Sequence, residues 1–348
     1  MHDTSPSTTV ALRRRQLLRL PLAVPLAWAL PPALGVAGLA GLRRPAMAQP
    51  AGLPSAERAA QTLGFYMGPG CNGTVRLNKQ AAWLGRAAQW HADFLAQDSW
   101  TELVKAATRG AQCWQPTGLA TTIGVPMLPR QAGADLASGA RGDYDTHFVQ
   151  VAQALVRNGL GNAVLRIGWE FNHDWFAWRA DRDPVAWTAF WRRIVATMRG
   201  VPGAGFRFDW CPAWGTGKLA PERVYPGDDV VDMIGMDIYN TTWNPTTPEQ
   251  RWLVKRDQPH GLVWHRTFAA QHGKPVSFPE WGTGMRPDGR GGGDDAYFIQ
   301  QMAAWLAGSE LAYHIYWDYK APDFNARLSD GSKPAAEAAF LAAFGGTR

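Results

Sequence analysis

Beyond residue 60 the chain alternates between short, continuous apolar runs and longer stretches with helical spacing. Eight runs have strand length: Thr62 to Met67, Ala88 to Phe94, Thr121 to Leu128, Val164 to Phe171, Phe206 to Ala213, Val231 to Tyr239, Pro275 to Glu280 and Leu311 to Trp317. Continuous apolar strands are those covered on both faces. Most of the intervals between them carry apolar residues three and four apart, which predicts helices at Thr101 to Cys113, Tyr144 to Asn158, Pro184 to Arg199, Leu262 to His272 and Asp294 to Leu306. Strand and helix in alternation give a parallel sheet covered by helices, and eight units favour closure over an open sheet. The expected fold is therefore α/β, a (β/α)8 TIM barrel, with residues 49–348 as one domain undivided by any Ser/Gly linker or internal repeat.

The first 48 residues follow a different pattern. Arg14-Arg15 precedes an apolar stretch from Leu20 to Leu42, and Ala46-Met47-Ala48 has the small-x-small form of a cleavage site. Together these predict a Tat-type signal peptide over residues 1–48 and a periplasmic or secreted mature protein. The stretch is long enough to be a membrane anchor. Pro21, Pro25 and Pro31-Pro32 suit a cleaved segment better than a spanning helix, so no stable membrane insertion is expected after cleavage. Six of the 35 Lys and Arg residues and one of the 29 Asp and Glu residues lie in this segment. The remainder is nearly neutral, with 29 basic and 28 acidic side chains, and offers no basic stripe for nucleic acid.

In a barrel of this kind the pocket forms where strands run into their following loops. Glu170 ends the fourth run, in Arg166-Ile-Gly-Trp-Glu-Phe-Asn-His-Asp-Trp-Phe-Ala-Trp178, and Glu280 ends the seventh, in Pro275-Val-Ser-Phe-Pro-Glu-Trp-Gly282. Each stands beside a tryptophan. Two carboxyl groups on one rim suit glycoside hydrolysis, in which a retaining enzyme places them about 5 to 5.5 Å apart as nucleophile and acid/base. Neighbouring runs end in Tyr66, Asp93, Trp214, Asp237, Tyr239, Trp317 and Asp318. The even spacing of Arg166 and Glu170 predicts that both face the same side of the strand.

The segment Arg166-x-x-x-Glu170-x-Asn172-x-x-Trp175-Phe176-x-Trp178 resembles, without a gap, the fourth-strand motif of glycoside hydrolase family 26, Arg-Pro-x-His-Glu-Met-Asn-Gly-x-Trp-Phe-Trp-Trp. This is a clan A family dominated by β-mannanases. The resemblance implies that Glu170 is the acid/base and Glu280, at the end of the seventh strand, the nucleophile. Val231-Asp-Met-Ile-Gly-Met-Asp-Ile-Tyr239 is similar to the family's sixth strand, which implies that Tyr239 hydrogen-bonds the nucleophile. Two positions depart from the pattern: Trp169 stands where the family has a sugar-contacting histidine, and His173 where it has glycine.

Aromatic usage fits a sugar groove, because indole stacks on the C–H faces of sugar rings while polar groups take the hydroxyls. The chain has 18 tryptophans and 8 tyrosines. Trp187, Trp191 and Trp305, on predicted helices, are expected in the core. Substrate contacts are expected from Arg166, Trp169, Asn172, Trp175, Trp178, Trp281 and Trp317, with His91, Asp93 and His173 as further candidates for the pocket wall. An apolar surround of Trp169, Phe171 and Trp175 would raise the pKa of Glu170. Cys71, Cys113 and Cys211 lack metal-ligand spacing, and Asp228, Asp229 and Asp232 lack that of a calcium loop, so neither metal nor cofactor is expected. A Cys71–Cys113 disulfide and a buried Cys211 thiol are both compatible with export. The expected partner is a β-linked polysaccharide, mannan first, cleaved in endo fashion. Two alternatives remain open at this point: a hydrolase that trims the cell's own exopolysaccharide, and a barrel that binds polysaccharide without cleaving it.

Overall fold

A computed structural model describes residues 55–130, 133–242 and 246–346, which fall in one compact unit. The signal peptide expected at residues 1–48 lies outside the described residues. Eight parallel strands close into a barrel in chain order: β1 (Leu63–Tyr66), β2 (Trp90–Phe94), β3 (Ala120–Val125), β4 (Val164–Ile167), β5 (Arg207–Trp210), β6 (Met233–Tyr239), β7 (Val276–Gly282) and β8 (Leu311–Trp317). The expected TIM barrel is thus present, with one strand in each of the eight apolar runs. All five predicted helices are found within a few residues of their expected ends. Helices at Leu77–Leu84, Pro248–Asp257 and Pro334–Phe344 were not anticipated. No helix among the described residues is long and apolar enough to cross a membrane.

The helices start where side chains satisfy their free N–H groups. Ser99 accepts from the amide of Glu102, Asp183 from that of Ala186 and Asp295 from that of Phe298. The large apolar core lies between helices and sheet, and Trp187 and Trp191 are fully buried there, as expected. Inside the barrel, alternate residues of the strands form layers. Trp90 stacks on Tyr313 at 4.6 Å near the strands' N-terminal end. Above them a polar layer forms where Asp209 accepts hydrogen bonds from Ser277 and Tyr313, both at 2.6 Å, and the Tyr313 and Thr122 hydroxyls pair at 2.9 Å. A small residue is required at Gly235, since an added Cβ would stand 2.5 Å from Asp209 Oδ1.

Two departures from regular strand geometry shape the rim. The fourth run predicted a strand through Phe171, yet β4 ends at Ile167, because Gly168 and Glu170 adopt left-handed backbone conformations with φ of 56° and 54°. Glycine suits the first: a Cβ there would strike Met127 Sδ at 2.4 Å. In β7, Ser277 pairs with Gly235 and Glu280 with Asp237, so three residues of β7 advance against two of β6. This bulge includes Pro279, which has no N–H to lose from the ladder, and it turns Glu280 inward.

Candidate active site

Arg166 on β4 is the anchor of the site. Its guanidinium is 1% exposed, forms an ion pair with Asp237 of β6, and donates to Glu280 Oε1 from Nη1 at 3.0 Å and Nη2 at 3.1 Å. Burial opposes its charge, but the Asp237 and Glu280 carboxylates outweigh that and hold its pKa above the usual value. The other oxygen of Glu280, Oε2, accepts from the Tyr239 hydroxyl at 2.7 Å. Burial first, and then the charge of Glu280, push the Tyr239 phenol well up, so it stays a donor. Glu280 is therefore held at both oxygens, and its side chain is 8% exposed.

Glu170 reaches the same pocket by another route. The left-handed turn after β4 lifts it off the strand, and its amide donates to the carbonyl of Cys211 at 2.8 Å, beyond the end of β5. Backbone strain of this kind persists only where the surroundings enforce it. Its Oε2 accepts from Trp175 Nε1 at 2.8 Å. Burial and then the charge of Glu280 push its carboxyl up to about 8, against the opposing pull of the Trp175 hydrogen bond and of Arg166. One glutamate is thus clamped by a cation and a phenol, while the other is kept protonated near neutrality.

Aromatic rings form one wall. Trp317 stacks on Tyr66 at 4.0 Å, Phe94 lies edge-on to Tyr66 at 5.3 Å and meets Trp169 at 5.2 Å, while Phe324 packs against Tyr239 at 5.0 Å. Of the expected substrate contacts, Trp317 stands partly open in this wall. Trp175 is 54% exposed and stacks on His173 at 4.1 Å, so both belong to the rim.

The remaining residues lie buried or face away from the pocket. Arg166 is sealed beneath Glu280, to which it donates. Asn172 is wholly buried and fully bonded: its Oδ1 accepts from the Ala213 amide at 2.9 Å, and its Nδ2 donates to the Ala213 and Gly215 carbonyls at 2.9 and 2.8 Å. It ties the Glu170 turn to the loop after β5. Trp178 is 1% exposed and its Nε1 donates to the Trp169 carbonyl, while Trp169, 3% exposed, packs among Phe94, Phe176 and Trp178. Trp281 faces away from the pocket altogether, against Tyr316, Phe340 and Phe344. With Glu280 turned inward, its neighbour must turn outward. His91 and Asp93 also point outward: Trp114 lies over His91 at 3.7 Å and donates to Asp93 at 2.9 Å. Beside them Cys71 and Cys113 form a disulfide, and Cys211 is a buried free thiol under Arg166. Asp237 was not assigned a role from sequence, although its two-residue spacing from Tyr239 marks it as sharing that face.

Residues 146–265 match the model of glycosyl hydrolase family 26. This segment, about a third of the chain, is similar to that family. The matched segment includes Arg166, Glu170, Asp237 and Tyr239, and Glu280 lies beyond it. An endo-β-1,4-mannanase of Cellulomonas fimi, solved as a double mutant, shares the fold with a TM-score of 0.58 and 20% identity over 82% of this chain and 68% of that one. The catalytic domain of a family 26 endo-β-1,4-mannanase from Bacillus sp. JAMB-750 aligns with a TM-score of 0.56 and 14% identity, over 84% of this chain and 89% of that one. For a family 26 β-mannanase of Bacteroides ovatus the values are 0.54 and 17%, over 84% and 90%. No curated protein matches in sequence. The expected family resemblance and the glycoside hydrolase class are met by these matches.

Proposed function

We propose that this protein is an exported, retaining endo-β-glycosidase of the mannanase type. The observation that carries the reading is the pairing of Glu170, protonated up to a pH of about 8, with Glu280, whose two oxygens are held by Arg166 and Tyr239. In the first displacement Glu280 attacks the anomeric carbon while Glu170 gives its proton to the leaving glycosidic oxygen, forming a covalent glycosyl-enzyme. Glu170, now a carboxylate, takes a proton from water, which attacks the same carbon and releases Glu280. Tyr239 and Arg166 hold the attacking carboxylate in place while its charge is lost and regained. The exposed Trp175 offers a stacking face on the leaving-group side, and Trp317 one in the opposite wall.

A β-1,4-mannan substrate is supported by the solved neighbours named endo-β-1,4-mannanases. Export is supported by the Arg14-Arg15 signal pattern and by the Cys71–Cys113 disulfide, a bond suited to an oxidising compartment. Wild type on a panel of β-glycans is expected to release new reducing ends from β-mannan. Glu280→Ala is expected to abolish hydrolysis. Glu170→Ala is expected to retain activity only on glycosides whose leaving group needs no protonation. Binding without any new reducing ends from wild type would refute the reading, and equal, complete loss in both variants on both substrate types would refute the division of roles.

A further inference from the structure

Outside the catalytic pocket, a concavity of about 450 Å³ runs along the helix Leu262–Gln271. That volume is in the range of a ligand site. Trp264, lying nearly parallel to Phe268 at 5.2 Å, lines it together with Phe268, Pro259 and the polar side chains of Gln258, His260, Thr267 and Gln271. An indole with amides and a hydroxyl beside it has the chemistry of a sugar site. Asp257 is the one acidic group in the lining, and the lining holds no Lys or Arg, which disfavours an anionic ligand.

A trail of contacts joins this groove to the acid/base. Trp175 donates to Glu170 and stacks on His173. The His173 ring lies against Gly217, where an added Cβ would stand 3.1 Å from it. Next in the chain, Thr216 Oγ1 pairs with His260 Nδ1 at 2.6 Å, and His260 lies edge-on to Trp264 at 4.9 Å. Gly215 also donates its amide to the His260 carbonyl at 3.0 Å. Glu170 and His260 are the two non-glycine residues with positive φ among the described residues. One is at each end of the trail.

We infer that this groove is a second carbohydrate site, which holds the leaving-group side of a neutral β-linked polysaccharide chain after it has crossed Trp175. The inference rests on the polysaccharide reading above and adds a reason for the enzyme to prefer long chains. A short oligosaccharide ends before Trp264, whereas a polymer gains a further stacking contact.

The test compares wild type, Trp264→Ala and Val263→Asp on soluble β-1,4-galactomannan and on mannotetraose. The same substitutions in a Glu280→Ala background are run in gels cast with galactomannan. Val263 is 45% exposed, so its substitution puts a charge in the groove without disturbing the core. Both variants are expected to lose about tenfold in kcat/KM and in retardation on the polymer, with less than about a twofold change on mannotetraose. An unchanged polymer-to-oligosaccharide ratio in both variants, with wild type active, would overturn the groove and leave the catalytic reading standing. Equal losses on both substrates would assign the groove a structural role and overturn it too. A wild type that cleaves neither glycan would overturn the mannan reading first, and this one with it.

Discussion

Replacing Trp175 with phenylalanine isolates the control of Glu170. The indole Nε1–H donates to Glu170 Oε2 at 2.8 Å, and that bond favours the ionised carboxylate. Phe keeps an aromatic face on His173 and removes the donor. A hydrogen bond to a charged group contributes about 1.5–3 kcal/mol when shielded from water. Trp175 is 54% exposed, so water replaces part of it. About 1 kcal/mol remains, which equals about 0.7 unit in pKa. As the acid of the proposed mechanism Glu170 must be protonated, and its value of about 8 then sets the basic limb of kcat/KM. Trp175→Phe should therefore move that limb upward by about 0.7 unit, widening the active range on the alkaline side even though lost stacking lowers kcat/KM itself. The assay is kcat/KM against pH from about 5 to 10 on a mannan oligosaccharide. A basic limb that stays in place or moves downward would refute the reasoning.

Three further outcomes follow from the same geometry. Asn172→Ala leaves the Ala213 amide and two carbonyls without their buried partner, so stability should fall by about 2–4 kcal/mol in urea and kcat should fall with it; a change confined to KM would restore the substrate-contact role. The Glu170 pKa is about 8 in the fold against an ordinary 4.5, so its contribution to stability is fully present below pH 4.5 and lost as pH rises through 8. Glu170→Gln removes that loss and should raise stability by at most about 3 kcal/mol at pH 7, with no gain near pH 4; a gain that is the same at both pH values would contradict this. The Cys71–Cys113 bridge closes a loop with a sequence separation of 42, and Cys71→Ser should cost about 4 kcal/mol on the loop-entropy model, read as a lower urea midpoint with kcat/KM at room temperature preserved.

The barrel was legible because each strand is buried on both faces and stands out as an apolar run. The glutamates were legible because their neighbours form a recognisable motif. What sequence misplaced depends on local twists that periodicity cannot express. Arg166 lies beneath the pocket and Glu170 reaches it, yet not by strand alternation: a left-handed turn at Gly168 and Glu170 intervenes. Trp169, Trp178 and Trp281 stand at or just past strand ends, where sugar platforms are expected, and are buried instead. Alternation alone argues against a platform at Trp281, which follows an inward Glu280 and must face the outer helices. Asn172 illustrates a different limit. Its three hydrogen bonds are to backbone atoms of the loop after β5, and nothing in the sequence announces that loop's approach. His173 and Trp175 escaped this burial because the turn carries them past the barrel rim.

Trapping the covalent intermediate tests the catalytic assignment most directly. Wild type would be incubated with an activated 2-deoxy-2-fluoro-β-mannobioside, whose electron-withdrawing fluorine slows the second displacement, and the labelled protein digested for peptide mass analysis. The double-displacement mechanism requires one adduct per chain, on the peptide carrying Glu280 and on that carboxylate. An adduct on Glu170 or another carboxylate, or steady turnover of mannan with no adduct formed, would contradict it.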